Sequence, residues 1–171
     1  FVTTLTIADR DYAGAQQLAQ SLGEKAAAKA VDILNPTSLD DLLAQHDIVI
    51  ATVGPYYKFG TIVLKAAIEN RCHYIDICDD WEPTLEMLAL HEQARQAGVT
   101  AIIGMGASPG VANLLAVKAI QQLDQVETVY TTFGATSRDQ SQDQDEDDNK
   151  DQAAALEHWV HQFTGSIRRQ I

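Results

Sequence analysis

The chain is poor in cysteine. Of its 171 residues only Cys72 and Cys78 carry thiols. They flank one predicted strand, with no CxxC spacing and no second pair. Neither a zinc site nor a disulfide framework is indicated, and a reducing cytoplasmic setting is expected. Long apolar runs are also absent. None approaches the roughly 20 residues of a membrane span. The opening residues, Phe1-Val2-Thr3-Thr4, do not show the basic-then-apolar pattern of a signal peptide. Positive charge is scarce: 12 Lys and Arg face 24 Asp and Glu, for a net charge of −12. That balance argues against sequence-independent nucleic-acid binding, which needs a basic footprint. Part of the charge is local, because 139–151 holds seven acidic residues against Lys150, a net of −6. This run fails the EF-hand spacing: with Asp143 first, Asp148 falls where glycine is required and Ala154 where glutamate is. It reads as a solvated loop. The five histidines show no metal or catalytic spacing, and no metal is expected.

What is present is alternation. Residues 5–8 read as a strand, and a helix pattern runs over 12–22 to Gly23. A second strand is expected at 30–34. Asn35-Pro36 then turns the chain into a short helix over 39–45, capped by Ser38. The run Ile48-Val49-Ile50 suits a strand buried on both faces. Gly54-Pro55 ends it, with Tyr56 and Tyr57 at the turn and a helix from Thr61. Strand 73–77, helix 84–97, strand 99–103 and helix 111–123 follow. Five strand–helix alternations predict an α/β fold, a Rossmann-like doubly wound parallel sheet. After residue 123 the pattern changes. Residues 126–135 alternate apolar and polar, and 152–164 resume as a helix. The expected division is a cofactor domain over 1–123 and the start of a second α+β domain over 124–171, with the acidic loop 139–151 inside it.

One feature of a dinucleotide fold is missing: the strand, G-x-G-x-x-G turn and helix that open it. Residues 5–8 are followed by Asp9-Arg10-Asp11-Tyr12-Ala13-Gly14, and that lone glycine cannot admit a pyrophosphate. The better assignment makes 5–8 strand two. Asp9 then holds the place of the acidic residue that binds the ribose hydroxyls, although aspartate suits a helix N-cap equally well. Arg10 beside it could stack on adenine or hold a 2′-phosphate. In the order 3-2-1-4-5-6, an absent strand one leaves unpaired backbone between strands two and four. The natural chain is therefore expected to extend upstream of Phe1 by about 30 residues, the missing part of a βαβ unit.

The segments VGPYYKFGTIVLKAAIENRCHYIDICDDWEP (53–83) and GMGASPGVANLLAVKAI (104–120) resemble the saccharopine dehydrogenase-like oxidoreductases. Their likeness is to the saccharopine reductase and carboxynorspermidine dehydrogenase branch. The resemblance implies an NAD(P)-binding Rossmann domain, a second substrate domain that commonly forms a homodimer, and a small-molecule substrate. The implied reaction transfers hydride between NAD(P) and an amino acid- or polyamine-derived imine or secondary amine. Most of the second domain would lie past Ile171, so the chain is expected to be truncated at both ends. The family's G-x-D-P-G motif has aspartate where this chain has Ser108.

On this reading Asp9, Arg10, Val53, Gly54, Pro55 and Tyr56 would contact NAD or NADP. Tyr57, Trp81, Ser108 and Asn113 would face substrate. Asp79, Asp80 and Glu82 form a carboxylate cluster after the fourth strand. Such groups can raise one another's pKa, and Asp80 is the candidate acid or base. The plainer alternative is a helix N-terminus that favours acidic residues. Asp76, inside the strand, reads as a buried structural group, and Cys78 as a small core residue. Two other functions remain open: an S-adenosylmethionine-dependent methyltransferase, whose sheet also uses an acidic residue after strand two, and a non-catalytic nucleotide sensor.

Overall fold

The computed structural model describes residues 2–131. Along them five strands alternate with helices. Strand β1 (Leu5–Asp9) leads into helix α1 (Tyr12–Leu22). Asp11 caps that helix, its side chain accepting from Ala13 N–H at 3.1 Å. Gly23, at φ +88°, closes it. Strand β2 is Ala26–Ala30, not the expected 30–34. The chain turns at once after Gly23, with Ala26 N–H bonded to Gly23 O at 3.0 Å. The alanine run then pairs in parallel with Leu5–Asp9. Alanine and lysine favour strands weakly; ladder pairing and contact with α1 override that preference here. Residues 31–34 form a turn, in which Asp32 Oδ1 accepts from Leu34 N–H at 2.9 Å.

Helix α2 (Pro36–Leu43) starts three residues before the expected position. Asn35 is the cap, accepting from Ser38 N–H at 3.3 Å, with Pro36 at the first helical position. Strand β3 (Ile48–Ala51) follows, then α3 (Tyr56–Glu69). Tyr56 and Tyr57 therefore lie in the first turn of α3 and not in a loop before Thr61. The apolar helical face begins with Tyr56, which packs over Gly60. Strand β4 (His73–Asp76) comes next. The single helix expected over 84–97 is two, α4 (Trp81–Leu88) and α5 (His91–Ala97), because the chain bends at Ala89-Leu90 and tucks Leu90 into the core. Strand β5 is only Ala101–Ile102, and α6 is Val111–Ile120. Residues 126–131 form no strand. The rest of that alternating stretch, the acidic run and the helix expected over 152–164 lie outside the described residues.

All ladders are parallel, and they fall into two sheets, β1-β2 and β3-β4-β5. The break lies between β1 and β3, where the assignment of residues 5–8 to strand two leaves a strand out. His46 reaches across it: Nδ1 donates to Leu42 O at 2.7 Å, and Nε2 lies 2.8 Å from Thr6 Oγ1. Helices α3, α4 and α5 cover one face of the three-stranded sheet. Leu64, Ala67, Tyr74, Met87 and Leu90 meet there. Leu64, Met87 and Leu90 each contribute on the order of 1.5–3 kcal/mol by burial. The other face carries Ile50, Ile75 and Ile102, register partners across the three strands, and Ile50 is 62% exposed. The apolar helix α6 buries none of its residues among those described. Among the described residues no helix is long and apolar enough to cross a membrane.

Candidate cofactor site

The candidate residues follow the C-terminal ends of the strands, where parallel α/β sheets bind ligands. At the end of β1, Asp9 and Arg10 are exposed. Asp9 Oδ1 accepts from Asp11 N–H at 2.8 Å, and Asp11, not Asp9, caps α1. The capping role that competed with ribose binding thus belongs to its neighbour. Gly54 is also exposed, and a Cβ built on it would meet nothing within 4 Å. Neither backbone strain nor crowding from the described residues requires glycine there, so there is room for a ligand to approach. Val53 and Pro55 are half-buried, and Gly54-Pro55 is a cis peptide.

Tyr56 is placed differently from an open ligand contact. Its ring is buried, and its hydroxyl donates to Ala51 O at 2.8 Å. Burial pushes its pKa up, with smaller contributions from Asp76, Cys78 and Asp79. Tyr57 next to it is 64% exposed, with Lys58 Nζ 5.9 Å from its ring centroid. Trp81 opens α4 and is 52% exposed. Ser108 and Asn113 are exposed as well.

Asp80 is half-buried and precedes α4. Its carbonyl accepts from Thr84 Oγ1 at 2.6 Å and from Cys78 Sγ at 3.5 Å. Burial raises the Cys78 pKa, which fits a packed thiol and not a nucleophile. Among the described residues no group of three or more His, Cys, Asp or Glu could hold a metal ion.

At this edge Asp76 is fully buried, at 0% exposure. Oδ1 accepts from Gly104 N–H at 2.7 Å and Cys78 N–H at 3.0 Å, and Oδ2 accepts from Tyr74 Oη at 2.8 Å. Its carbonyl accepts from Met105 N–H at 2.8 Å. One side chain therefore ties the end of β4 to the 104–110 loop. The burial of Asp76 was legible in the sequence; its link to the loop was not. The signal available was Tyr74-x-Asp76, two residues of one strand sharing a face.

The 104–110 loop is closed by its glycines. Gly104 and Gly110 take φ of +73° and +114°, and Gly106 bridges to Gly110. Val111 N–H bonds to Gly106 O at 2.9 Å and Ala112 N–H to Ala107 O at 3.0 Å. The loop backbone thus satisfies two amides at the start of α6, although Gly110 offers no side-chain cap.

These residues fit the two ends of a dinucleotide in part. An exposed carboxylate ends β1, an exposed guanidinium follows it, and an uncrowded glycine follows β3. No glycine-rich phosphate turn stands between them among the described residues.

The model of the saccharopine dehydrogenase NADP binding domain matches residues 1–102. The saccharopine dehydrogenase-like oxidoreductase of Mus musculus is 36% identical over 126 residues, covering 69% of this chain and 29% of that protein. The saccharopine dehydrogenase [NADP(+), L-glutamate-forming] of Saccharomyces cerevisiae is 32% identical over 119 residues, covering 70% of this chain and 25% of that one. The solved apo saccharopine dehydrogenase (L-Glu forming) from Saccharomyces cerevisiae superposes with a TM-score of 0.60 at 31% identity, covering 70% of this chain and 25% of that chain. The chain thus spans between a quarter and a third of the length of these relatives. The family match covers more than half of its residues, and the chain belongs to the saccharopine dehydrogenase NADP-binding domain family.

Proposed function

We propose that the protein is an NAD(P)-dependent oxidoreductase whose residues 1–123 bind the cofactor and whose second domain, begun by 124–171, binds substrate and pairs two copies in the cytoplasm. The observation that carries this reading is the position of two features: Asp9 at the end of β1 and Gly54-Pro55 after β3, on either side of the break in the parallel sheet. Asp9 would take ribose hydroxyls of the adenosine half, and Arg10 would face a 2′-phosphate. Val53, Gly54, Pro55 and Tyr56 would border the nicotinamide half, with Tyr56 acting through packing. Bound cofactor would supply the hydride chemistry, while the chain orients it and excludes water.

The substrate reading is an imine or secondary amine derived from an amino acid or polyamine, with Tyr57, Trp81, Ser108 and Asn113 lining its approach. Asp80 is the proposed proton donor or acceptor. The family match favours this over the methyltransferase, and the sensor differs only in lacking turnover.

The test is titration of the full-length protein with NADPH, NADH and S-adenosylmethionine. Binding of a reduced nicotinamide cofactor is expected, weakened about tenfold or more by Asp9→Ala for NADH or by Arg10→Ala for NADPH. No affinity for either nicotinamide cofactor would refute the reading. Tight binding without turnover on any amine–carbonyl pair would leave the sensor.

A further inference from the structure

The Asp76 carboxylate at the site edge does more than tie β4 to the 104–110 loop. It is fully buried, and three groups donate to it: Gly104 N–H, Cys78 N–H and Tyr74 Oη. A carboxylate with only donors around it has the surroundings of an anion. Yet no Lys, Arg or His among the described residues forms an ion pair with it. A buried charge without a counter-charge is costly, and its field is weakly screened. Its place in the sheet matters. Asp76 is the register partner of Ala51, the last residue of β3. It therefore lies directly beside the strand end that runs into Val53-Gly54-Pro55. Asp79 and Asp80 follow on the same edge, but one is exposed and the other half-buried, so water damps their fields.

We propose that Asp76 is a positioning anion under the C-terminal edge of β3 and β4, favouring the cationic, oxidised nicotinamide over the neutral, reduced one. The inference rests on the cofactor reading above. The oxidised ring carries one positive charge that the reduced ring lacks, so a fixed negative charge near it acts on one redox form only. Packing alone would act on both forms alike. The diagnostic quantity is therefore the ratio of the two dissociation constants, Kd(oxidised)/Kd(reduced).

The experiment titrates full-length protein with NADP+ and NADPH, using NAD+ and NADH if those bind better. It compares wild type with Asp76→Asn and Tyr74→Phe, with thermal unfolding to confirm the fold. Asp76→Asn keeps the shape and removes the charge, and the ratio is expected to rise on the order of three- to tenfold. Tyr74→Phe keeps the charge and removes one donor that partly offsets it, so the ratio should fall below the wild-type value. An unchanged ratio in Asp76→Asn overturns the proposal, whatever happens to overall affinity. If Asp76→Asn does not fold, Tyr74→Phe decides: a lower ratio supports the proposal, and a constant or higher ratio overturns it. Wild-type protein that binds neither redox form sinks the cofactor reading itself, an outcome distinct from an unchanged ratio.

Discussion

Replacing Gly110 with alanine should open the 104–110 loop, and the cost can be worked from its geometry. Gly110 sits at φ +114°, ψ −102°, a conformation closed to residues with a Cβ. Holding alanine there costs about 1–3 kcal/mol. The new Cβ would also lie 2.6 Å from Gly106 N and 2.9 Å from Gly104 O, and would press on Gly106 O. These are backbone atoms and cannot rotate aside. Relief requires the loop to open, losing the bonds from Val111 N–H to Gly106 O and from Ala112 N–H to Ala107 O. At about 1 kcal/mol each, losing these costs roughly 2 kcal/mol in place of the strain, so the variant should lose on the order of 2–3 kcal/mol. The comparison is Gly54→Ala, where a Cβ meets nothing within 4 Å and no left-handed φ is imposed. Its stability should change by no more than about 0.5 kcal/mol. Urea unfolding of full-length protein reads the global effect, and hydrogen exchange at Val111 and Ala112 reads local opening. A Gly110→Ala protein with an unchanged midpoint and unchanged protection would refute this account of the loop. Gly54→Ala should nonetheless weaken cofactor binding, which would separate a glycine kept for a ligand from one kept for the fold.

The strand–helix alternation was legible because its periodicities are local. Residues 12–22 were readable from the apolar spacing and Gly23, although the cap is Asp11 and not Asp9. The break between β1 and β3 followed from one absent motif and the parallel strand order. The misplaced elements fail for tertiary reasons. β2 is built from Ala26-Ala27-Ala28-Lys29-Ala30, which has little strand propensity of its own and is made a strand by pairing with Leu5–Asp9. The bend at Leu90 breaks a pattern that reads as one helix, because the chain must follow the core and not the periodicity.

The site was legible in a different way. Asp9 and Gly54 could be named as candidates because strand ends and turns announce themselves in sequence. Tyr56 could be placed at the turn, but its orientation could not be read. Its hydroxyl points back to Ala51 O, a contact that depends on how β3 and α3 meet. The donors on Asp76 include Gly104, 28 residues away, which no local pattern reveals.

Two further predictions concern stability. Asn35→Ala should cost about 1 kcal/mol by removing the cap on α2, whereas Ser38→Ala should cost little, because Ser38 uses its backbone N–H there. A thermal or urea melt of each variant decides between the two capping assignments, and equal losses would reject Asn35. The alkaline limb of the stability curve should carry the signature of Cys72. Its buried thiol has a pKa raised to about 11 from 9.0, first by burial and then by Asp47. The folded state favours the neutral form, so the contribution is fully present below pH 9, where the unfolded thiol is also neutral. It is lost as pH rises through about 11, with a magnitude of order 2–3 kcal/mol. Cys72→Ala should be less stable at neutral pH and should show a shallower fall between pH 9 and 11. A parallel fall in both proteins would mean that the thiol is not held neutral by the fold.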